Sequence, residues 1–391
     1  MDVRQIAPRP NWREIAEAAG FKFHTMYGEP YWNESRAYRF TIREIEDDIE
    51  DPATELHALC MDVAGRIVGS EELMGRMGIP EAHWDYVRDS WNEGSPMLYG
   101  RMDLAYDGQG PAKLLEYNAD TPTSFYESTA FQWQWLEDQI AAGVLPSTAD
   151  QFNGAFEALS ERFRHLFEPN ETVWFTSMPD NDEDYGTVEA LAWAAKEGGL
   201  NPLYLTLDKL GVTEDGRFCD AEGHPIRYLF KLYPWENMLR EPFADNLATS
   251  GTTFFEPAWK SLLSNKAILP MLWRFHAGHP NLLPAWFEDE AAAHPQDFAQ
   301  GMVVKPIFSR EGASVRILDA TGAEIAGSKD RAYDQWPKVC QAYRPLPVFD
   351  GRRPVIGAWI IGETCVGMGL REDPSLITQD LSQFIPHYIE G

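Results

Sequence analysis

Apolar residues recur every three or four positions along much of the first 170 residues, which is the spacing of amphipathic helices. The clearest run extends from residue 41 to residue 69, with a break expected near Pro52 because proline disrupts a helix interior. Further helices are predicted at 12–19 behind an Asn11 cap, after Pro80, at 125–142 behind Thr123 or Ser124, and at 150–167. The N-terminal part is therefore expected to be largely helical.

From residue 172 the pattern changes to short apolar runs. Segments 172–177 and 202–207 have the composition of strands, and the segment 186–199 between them has helical spacing. This order predicts a βαβ unit with two parallel strands and a right-handed crossover. Helical sequence follows at 256–290, and further strands are predicted at 302–307, 314–318, 338–344, 354–361 and 365–370. The whole pattern predicts a mixed fold of the α+β or α/β class.

A hairpin with polar residues in mid-strand precedes the βαβ unit, in the segment YGRMDLAYDGQGPAKLLEYN. Residues two apart on a strand share a face, so Arg101 and Asp103 point the same way, as do Glu116 and Asn118. A symmetric turn about residues 109–110 sets Asp103 opposite Glu116 and Arg101 opposite Asn118. Two carboxylates and an amide oxygen on one face suit a hard cation such as Mg²⁺.

The other face of this hairpin is apolar and is expected to be buried; it consists of Met102, Leu104, Leu115 and Tyr117. Two ionised carboxylates so close together repel each other unless a cation lies between them. The alternative is a solvated edge hairpin that merely carries charges. It is disfavoured because Asn and Asp are poor strand residues.

Charge and cysteine content narrow the function classes. Lysine and arginine total 33 against 61 aspartate and glutamate residues, a formal charge of −28. Such acidity disfavours nucleic acid and anionic membranes as partners and fits metal ions or amines. The four cysteines are scattered, which favours a reducing compartment. The sequence contains neither an apolar signal core nor a run of about 18 apolar residues, so we expect a cytoplasmic protein.

An acidic cluster, PDNDEDYG, follows the first strand of the βαβ unit. It is not an EF-hand, because Tyr185 and Leu191 stand where that loop needs Gly and Glu. Ligands often bind at the carboxyl ends of parallel strands, so the cluster could attract an amine, although a solvated loop fits equally well. Later in the chain, Lys305 and the glycine-containing loop at 309–313 suit a cover over phosphates, yet the sequence contains no P-loop.

Four ordered motifs carry a family resemblance: GRMDLAYDGQGPAKLLEYNADTPTS, NKAILPMLW with GHPNLLPAWF, VVKPIFSREGASV, and GLREDPSLIT. From about residue 10 onward the chain resembles the synthetase part of the glutathionylspermidine synthase family, and its stand-alone acid–amine ligase relatives in particular. The resemblance implies an atypical ATP-grasp fold with a small pre-ATP-grasp α/β subdomain. It implies one synthetase unit over 1–391, with a helical region and Mg-binding hairpin at 1–170, the pre-ATP-grasp subdomain at 171–246, a lid region at 256–335 and ATP-grasp core strands at 336–391.

The same resemblance implies roles for particular residues. Two arginines, Arg101 and Arg371, contact the reacting acyl group. The Mg²⁺ ligands are Asp103, Glu116 and Asn118. The ATP-binding residues are Lys266, Lys305, Gly312 and Gln341. The expected substrate-binding residues are Thr121 and Thr123 for the thiol peptide, and Asp182 and Glu183 for the polyamine.

The implied activity is ADP-forming ligation of a peptide-like carboxylate to an amine or polyamine through an acyl phosphate, with ATP as co-substrate and Mg²⁺ as cofactor. Threonines replace the serines of the bifunctional enzymes at 121 and 123, and Gln383 replaces a frequent arginine, so both substrates stay open. A Mg-ATP-binding module without ligase activity is the alternative. A glycoside hydrolase using Asp103 and Glu116 leaves Lys266 and Lys305 without a role.

Overall fold

The computed structural model describes residues 1–26, 28–379 and 382–390, and it has a mixed α/β fold. The strands of these described residues are β1 (Asp2–Gln5), β2 (Thr25–Met26), β3 (Glu29–Pro30), β4 (Arg36–Phe40), β5 (Tyr99–Ala105), β6 (Lys113–Asn118), β7 (Thr172–Ser177), β8 (Asn201–Thr206), β9 (Gly211–Val212), β10 (Phe218–Cys219), β11 (Tyr228–Lys231), β12 (Thr253–Phe255), β13 (Ala285–Phe287), β14 (Met302–Pro306), β15 (Arg316–Leu318), β16 (Glu324–Gly327), β17 (Lys338–Ala342), β18 (Arg353–Ile361), β19 (Thr364–Asp373), β20 (Gln383–Ile385) and β21 (His387–Ile389).

The α-helices of the same residues are α1 (Trp12–Ala18), α2 (Ile42–Ile45), α3 (Asp51–Val68), α4 (Glu71–Arg76), α5 (Trp84–Asn92), α6 (Gln132–Ala141), α7 (Ala155–Leu166), α8 (Asp182–Glu197), α9 (Trp235–Met238), α10 (Ile268–His276) and α11 (Glu288–Ala291). Two π-helical turns, Glu46–Glu50 and Glu127–Phe131, lead into α3 and α6. The chain stays helical through Pro52, but the predicted break is confirmed in part: the π-helical turn Glu46–Glu50 interrupts the α-helical pattern just before it, and α3 begins at Asp51 with Pro52 in its first turn. Asn11 precedes α1 but makes no side-chain capping bond.

An antiparallel sheet, here called the floor sheet, contains the predicted hairpin. Its strand order is β20-β19-β18-β5-β6, so β5 lies inside the sheet and every one of its residues is buried. The hairpin lies at the edge of this sheet through β6, but the alternative of a solvated hairpin is wrong, because no residue of β5 or β6 is exposed. The predicted register is confirmed, since Asp103 pairs with Glu116 and Arg101 with Asn118.

One detail of the hairpin differs from the prediction. A β-bulge after Asp103 pairs Leu104 with Leu114, which leaves Leu115 as the extra residue of β6. Leu114 is fully buried, whereas Leu115 lines the cleft described below. Strict alternation predicts that Leu115 is buried in the core. The bulge explains the difference, because one extra residue in a strand shifts the alternation of the faces from that point on.

A second antiparallel sheet, with the order β13-β17-β14-β15-β16, lies beside the floor sheet. The strand β13 falls within the 256–290 segment, which was predicted to be helical throughout. Pro306 was predicted to mark an edge strand, but β14 lies inside this sheet between β17 and β15. The proline is tolerated because the pairing of β14 with β15 stops at Val304. Pro306 lies beyond these pairs, and its strand partner is Lys338 of β17.

The predicted βαβ unit is confirmed as part of a parallel sheet with the order β12-β11-β7-β8. Its helix begins earlier than predicted, at Asp182 instead of Gly186. The Asn181 side-chain oxygen accepts the backbone N–H groups of Glu183 and Asp184, each at 3.1 Å. The acidic cluster is therefore mostly the first turn of a helix, where carboxylates interact favourably with the helix dipole.

The largest apolar cluster packs α3 and α10 against the floor sheet and the parallel sheet, so these layers form one continuous core. The four cysteines are buried free thiols. Over the described ranges, no helix combines the length and the apolar character needed to cross a membrane.

Candidate active site

A cleft of about 520 Å³ lies between the floor sheet, the second sheet and the carboxyl ends of β7 and β11. All but two of the predicted site residues line it: Arg101, Asp103, Glu116, Asn118, Thr121, Thr123, Lys266, Lys305, Gly312, Gln341 and Arg371. Among the residues that the structure describes, six cationic side chains and four carboxyls contribute to its wall. The cleft is thus locally cationic within a chain of charge −28, and such a surface attracts polyanions.

Asp103 lies at the centre of an arginine pair. It accepts hydrogen bonds from Arg101 Nε at 2.8 Å, from Arg101 Nη2 at 3.4 Å and from Arg371 Nη2 at 3.0 Å. The alkyl part of Arg101 lies over Gly357 of β18, where a Cβ atom would come within 2.7 Å of Arg101 Cδ. Because Asp103 and Gly357 are register partners, the sheet itself sets the position of this guanidinium.

Glu116 lies among lysines that come from other parts of the chain. Its Oε2 atom lies 2.9 Å from Lys266 Nζ, and its Oε1 accepts the Asn118 amide N–H at 3.3 Å. Burial raises the pKa of Glu116, but the charges of Lys266 and Lys305 outweigh that effect and lower the pKa to about 2. Glu116 is therefore ionised at every physiological pH.

The second sheet contributes Lys305 and Gln341 on the neighbouring strands β14 and β17. Lys305 Nζ donates to Gln341 Oε1 at 2.8 Å and to the Leu115 carbonyl at 3.0 Å, and Gln341 Nε2 donates to the Leu114 carbonyl at 2.9 Å. These contacts join the edge of the hairpin to the second sheet. Burial lowers the pKa of Lys305 to about 8, with Glu116 acting in the opposite direction.

Lys266 is positioned by the backbone next to these strands. The backbone N–H of Lys266 donates to the carbonyl of Ile307, one residue beyond β14, at 2.9 Å. The side-chain Nζ donates to the Ser309 carbonyl at 2.8 Å. The loop that begins at Ser309 carries Gly312, whose φ is +71°. A Cβ atom on Gly312 would lie 2.6 Å from the Thr378 carbonyl oxygen, so glycine lets this loop approach the segment 376–379 across the cleft.

The donor set is compatible with a divalent cation. An ionised carboxylate offers about four lone-pair positions, and neither Asp103 nor Glu116 uses all of them in the contacts above. Asn118 faces Glu116 with its amide nitrogen, so its carbonyl oxygen is the group left for a cation. Oxygen donors of this kind fit Mg²⁺, which prefers one or two carboxylates together with phosphate oxygens and water.

Arg310 is a cleft residue that the sequence reasoning missed. Its guanidinium donates to Thr121 Oγ1 at 2.9 Å and to Glu236 Oε1 at 2.6 Å, so it joins the loop after β14 to the exit of the hairpin and to α9. The sequence signal for Arg310 was its position inside the predicted loop 309–313. The sequence prediction for that loop considered only Gly312.

Two predicted residues, Asp182 and Glu183, do not line the cleft, whereas their neighbours Asn181 and Asp184 do. Asp182 is exposed on the first turn of α8. Burial raises the pKa of Asp184 to about 6, and Glu311 raises it further while Arg310 opposes the shift. Asp184 is therefore the carboxyl of this acidic cluster with access to a cleft ligand.

Several proteins to which this chain is similar are named as synthetases or ligases. A Haemophilus influenzae protein described as "Putative acid--amine ligase" is 40% identical over 397 residues, covering 99% of this chain and 98% of that protein. The trypanothione synthetase of Crithidia fasciculata is 28% identical over 95% of this chain, and the bifunctional glutathionylspermidine synthetase/amidase of Escherichia coli is 26% identical over 90%. This chain covers 60% of the length of each of these two enzymes.

The family model described as "Glutathionylspermidine synthase preATP-grasp" matches residues 3–390. The chain therefore belongs to this family. Among solved structures, a glutathione synthetase like-effector, GSS30, from Globodera pallida superposes with a TM-score of 0.56 at 12% identity, covering 90% of this chain and 89% of that one. That likeness concerns the fold alone.

Proposed function

We propose that the protein is an ATP-dependent, ADP-forming acid–amine ligase that joins a peptide-like carboxylate to an amine or polyamine through an acyl phosphate. The observation that carries the proposal is the convergence of widely separated residues on one cationic cleft, around two carboxylates that contact arginine and lysine side chains. Family membership and the ligase names of similar proteins support it. A cytoplasmic location, where ATP is abundant, belongs to the same proposal.

The architecture is proposed to be an atypical ATP-grasp fold with the predicted sub-regions. The parallel sheet with α8 fits the small pre-ATP-grasp subdomain expected at 171–246. The second sheet and the loop around Gly312 fit a lid over phosphates, because that loop contacts the opposite side of the cleft. The floor sheet supplies the strands expected for the catalytic core.

In the first step, a substrate carboxylate oxygen attacks the γ-phosphorus of ATP, giving an acyl phosphate and ADP. Phosphoryl transfer depends mostly on positioning and charge neutralisation. In this proposal Lys266 and Lys305 contact phosphate oxygens, and Arg101 and Arg371 hold the oxygens on which charge develops. Asp103, Glu116 and Asn118 would hold Mg²⁺, which neutralises phosphate charge when bound.

In the second step, a primary amine attacks the acyl carbon and phosphate leaves. The amine must lose a proton, and Asp184 lies in the cleft with a pKa raised to about 6, a suitable value for a proton acceptor near neutrality. Asp184 is thus proposed for the amine end, in place of Asp182 and Glu183. Thr121 and Thr123 are proposed for the acid, with Arg310 orienting Thr121.

A glycoside hydrolase is disfavoured by the charges of the site. Such an enzyme needs one of its two carboxyls to stay protonated near neutral pH. Glu116 has a pKa lowered to about 2, and Asp103 is held by two arginines. Glu116 is therefore not suited to act as a general acid, and both side-chain oxygens of Asp103 already accept arginine N–H groups.

The test uses purified protein with Mg-ATP, screened against panels of peptides and of diamines and polyamines. We expect ADP release that requires both an acid and an amine, together with a new amide product identified by mass. ADP release without an amide would indicate the Mg-ATP-binding alternative with ATPase activity. ATP binding without any turnover on the panels would contradict the ligase proposal.

A further inference from the structure

A buried polar cluster lies behind the cleft wall, where the exit of the hairpin enters the next helical segment. Tyr31 OH donates to Glu127 Oε1 at 2.6 Å and lies 3.1 Å from Ser124 Oγ. The Glu127 side chain is fully buried, and within the described part of the chain its Oε2 atom has no hydrogen-bond partner. None of these three residues lines the cleft.

Ser124 has a backbone conformation that needs support. Its φ is +69°, in the left-handed region that residues other than glycine rarely adopt. Its carbonyl accepts the Ser128 hydroxyl at 2.7 Å and the Ser128 N–H at 3.2 Å, and its own hydroxyl contacts Tyr31. Strained positions of this kind persist only where the surroundings hold them, and they are concentrated at functional sites.

The strained corner connects directly to the arginine at the centre of the site. The carbonyl of Thr123, the residue before Ser124, accepts a hydrogen bond from Arg101 Nη1 at 2.7 Å. The other two nitrogens of that guanidinium contact Asp103. The orientation of Arg101 therefore depends on the Thr123 carbonyl as well as on Asp103.

We propose that Glu127 and Tyr31 are positioning residues: Glu127 fixes the Tyr31 hydroxyl, Tyr31 fixes the Thr123–Ser124 corner, and the corner orients Arg101 toward the reacting acyl oxygen. The inference rests on the proposed function for the role of Arg101. The geometry of the corner itself does not depend on that function. The π-helical turn Glu127–Phe131 fits this interpretation, because such turns often occur at functional sites.

The use of a carboxyl at this position gives the cluster a pH dependence. Burial and the nearby Glu183 raise the pKa of Glu127 to about 7, while the Tyr31 hydroxyl and Arg101 act in the opposite direction. An ionised acceptor makes a stronger hydrogen bond than a neutral one. Glu127 ionises as the pH rises through about 7, so the corner is held best above that pH and kcat should rise across it.

The test compares Glu127→Gln and Tyr31→Phe with Tyr126→Phe as the matched control. The Tyr126 hydroxyl donates to the Ala19 carbonyl at 2.7 Å, away from the corner. We expect the first two variants to lower kcat by about tenfold, since small misplacements of a reacting group reduce rates strongly, while KM for ATP stays within about twofold. Glu127→Gln should also abolish the rise of kcat near pH 7, and Tyr126→Phe should behave like the wild type.

A wild-type kcat and pH profile in Glu127→Gln and Tyr31→Phe would overturn the proposal. So would an equal loss in Tyr126→Phe, which would indicate general damage to the helix start. A crystal structure of Tyr31→Phe provides a readout without turnover: loss of the Arg101–Thr123 contact supports the proposal, and an unchanged contact contradicts it. If the wild type forms no amide, the proposed function fails, and this structural comparison still decides the positioning role.

Discussion

The hairpin of the floor sheet and the start of α8 both present acidic side chains toward the same cleft, but in different settings. In the hairpin, Asp103 and Glu116 are held by cationic partners at about 3 Å. At the start of α8, Asp182 is exposed and Asp184 is partly buried beside Arg310. The comparison teaches that a carboxylate held in a sheet beside lysines, as Glu116 is, stays charged, whereas a buried one at a helix start, as Asp184 is, can exchange protons near pH 6.

The largest expected effect is at the hairpin. Asp103→Asn keeps the size of the side chain but removes the charge between Arg101 and Arg371, so we expect ADP release to fall by roughly 10²–10³-fold. The measurement is a coupled ADP assay, with a thermal melt to verify folding. Asp182→Asn, which removes a carboxylate outside the cleft, is the control. Near wild-type turnover in Asp103→Asn would show that the charge of Asp103 is not needed for the reaction.

A pH profile tests the cationic partner of the hairpin. Lys305 is charged below its pKa of about 8 and loses its charge above it. Because kcat/KM reports the free enzyme, kcat/KM for ATP should level off after the rise expected from Glu127 near pH 7 and should decline by up to about tenfold per pH unit above pH 8. Glu116 stays ionised over this range. A profile that stays flat to pH 10 would show that the charge of Lys305 is not needed.

A smaller effect is expected at the helix start. Asp184→Asn should lower kcat, because the proposed proton acceptor is lost, and should raise KM for the amine about tenfold, because one charge-assisted contact is lost. KM for ATP should stay within about twofold. Asp182→Asn is its matched control from the same helical turn. If Asp182→Asn raises KM for the amine as much as Asp184→Asn does, the assignment of the amine end to Asp184 is wrong.

The smallest effect on turnover is expected from the bulge in the hairpin. Leu114 is fully buried, so Leu114→Ala should lower the free energy of unfolding by about 2–5 kcal/mol, whereas Leu115→Ala should lower it by no more than about 1 kcal/mol. Chemical denaturation measures both values. If Leu115→Ala lowered the free energy of unfolding more than Leu114→Ala does, Leu115 would be the buried residue and the bulge would be contradicted.

The sequence was sufficient for elements whose patterns act locally. The period of two gave the Asp103–Glu116 pairing, and the βαβ pattern gave β7, α8 and β8. It could not predict the bulge at Leu115, because the extra residue depends on how β6 meets the second sheet. The start of α8 was placed too late, since Asn181 and the acids after it were interpreted as a loop and not as a helix cap.

The candidate site divides in the same way. The family motifs identified the residues between Arg101 and Arg371 that line the cleft. The geometry of the cleft, however, depends on contacts between segments that are distant in the sequence. Arg310 meets Glu236 and Thr121 only after folding, and Tyr31 reaches Glu127 across 96 positions. Such contacts leave no period or spacing in the chain, so sequence reasoning misses them. The family resemblance implied Asp182 and Glu183, whereas their neighbour Asp184 lines the cleft, because only packing decides which acid of a cluster faces inward.

The most direct test of the acyl phosphate proposal uses an acid substrate from the panel labelled with ¹⁸O in its carboxylate. If the carboxylate attacks the γ-phosphorus, one labelled oxygen passes to the phosphate released in each turnover, alongside ADP. We therefore predict ¹⁸O-labelled inorganic phosphate, detected by mass spectrometry or by the ³¹P isotope shift. Amide formation with unlabelled phosphate, or with the label in AMP, would contradict the account.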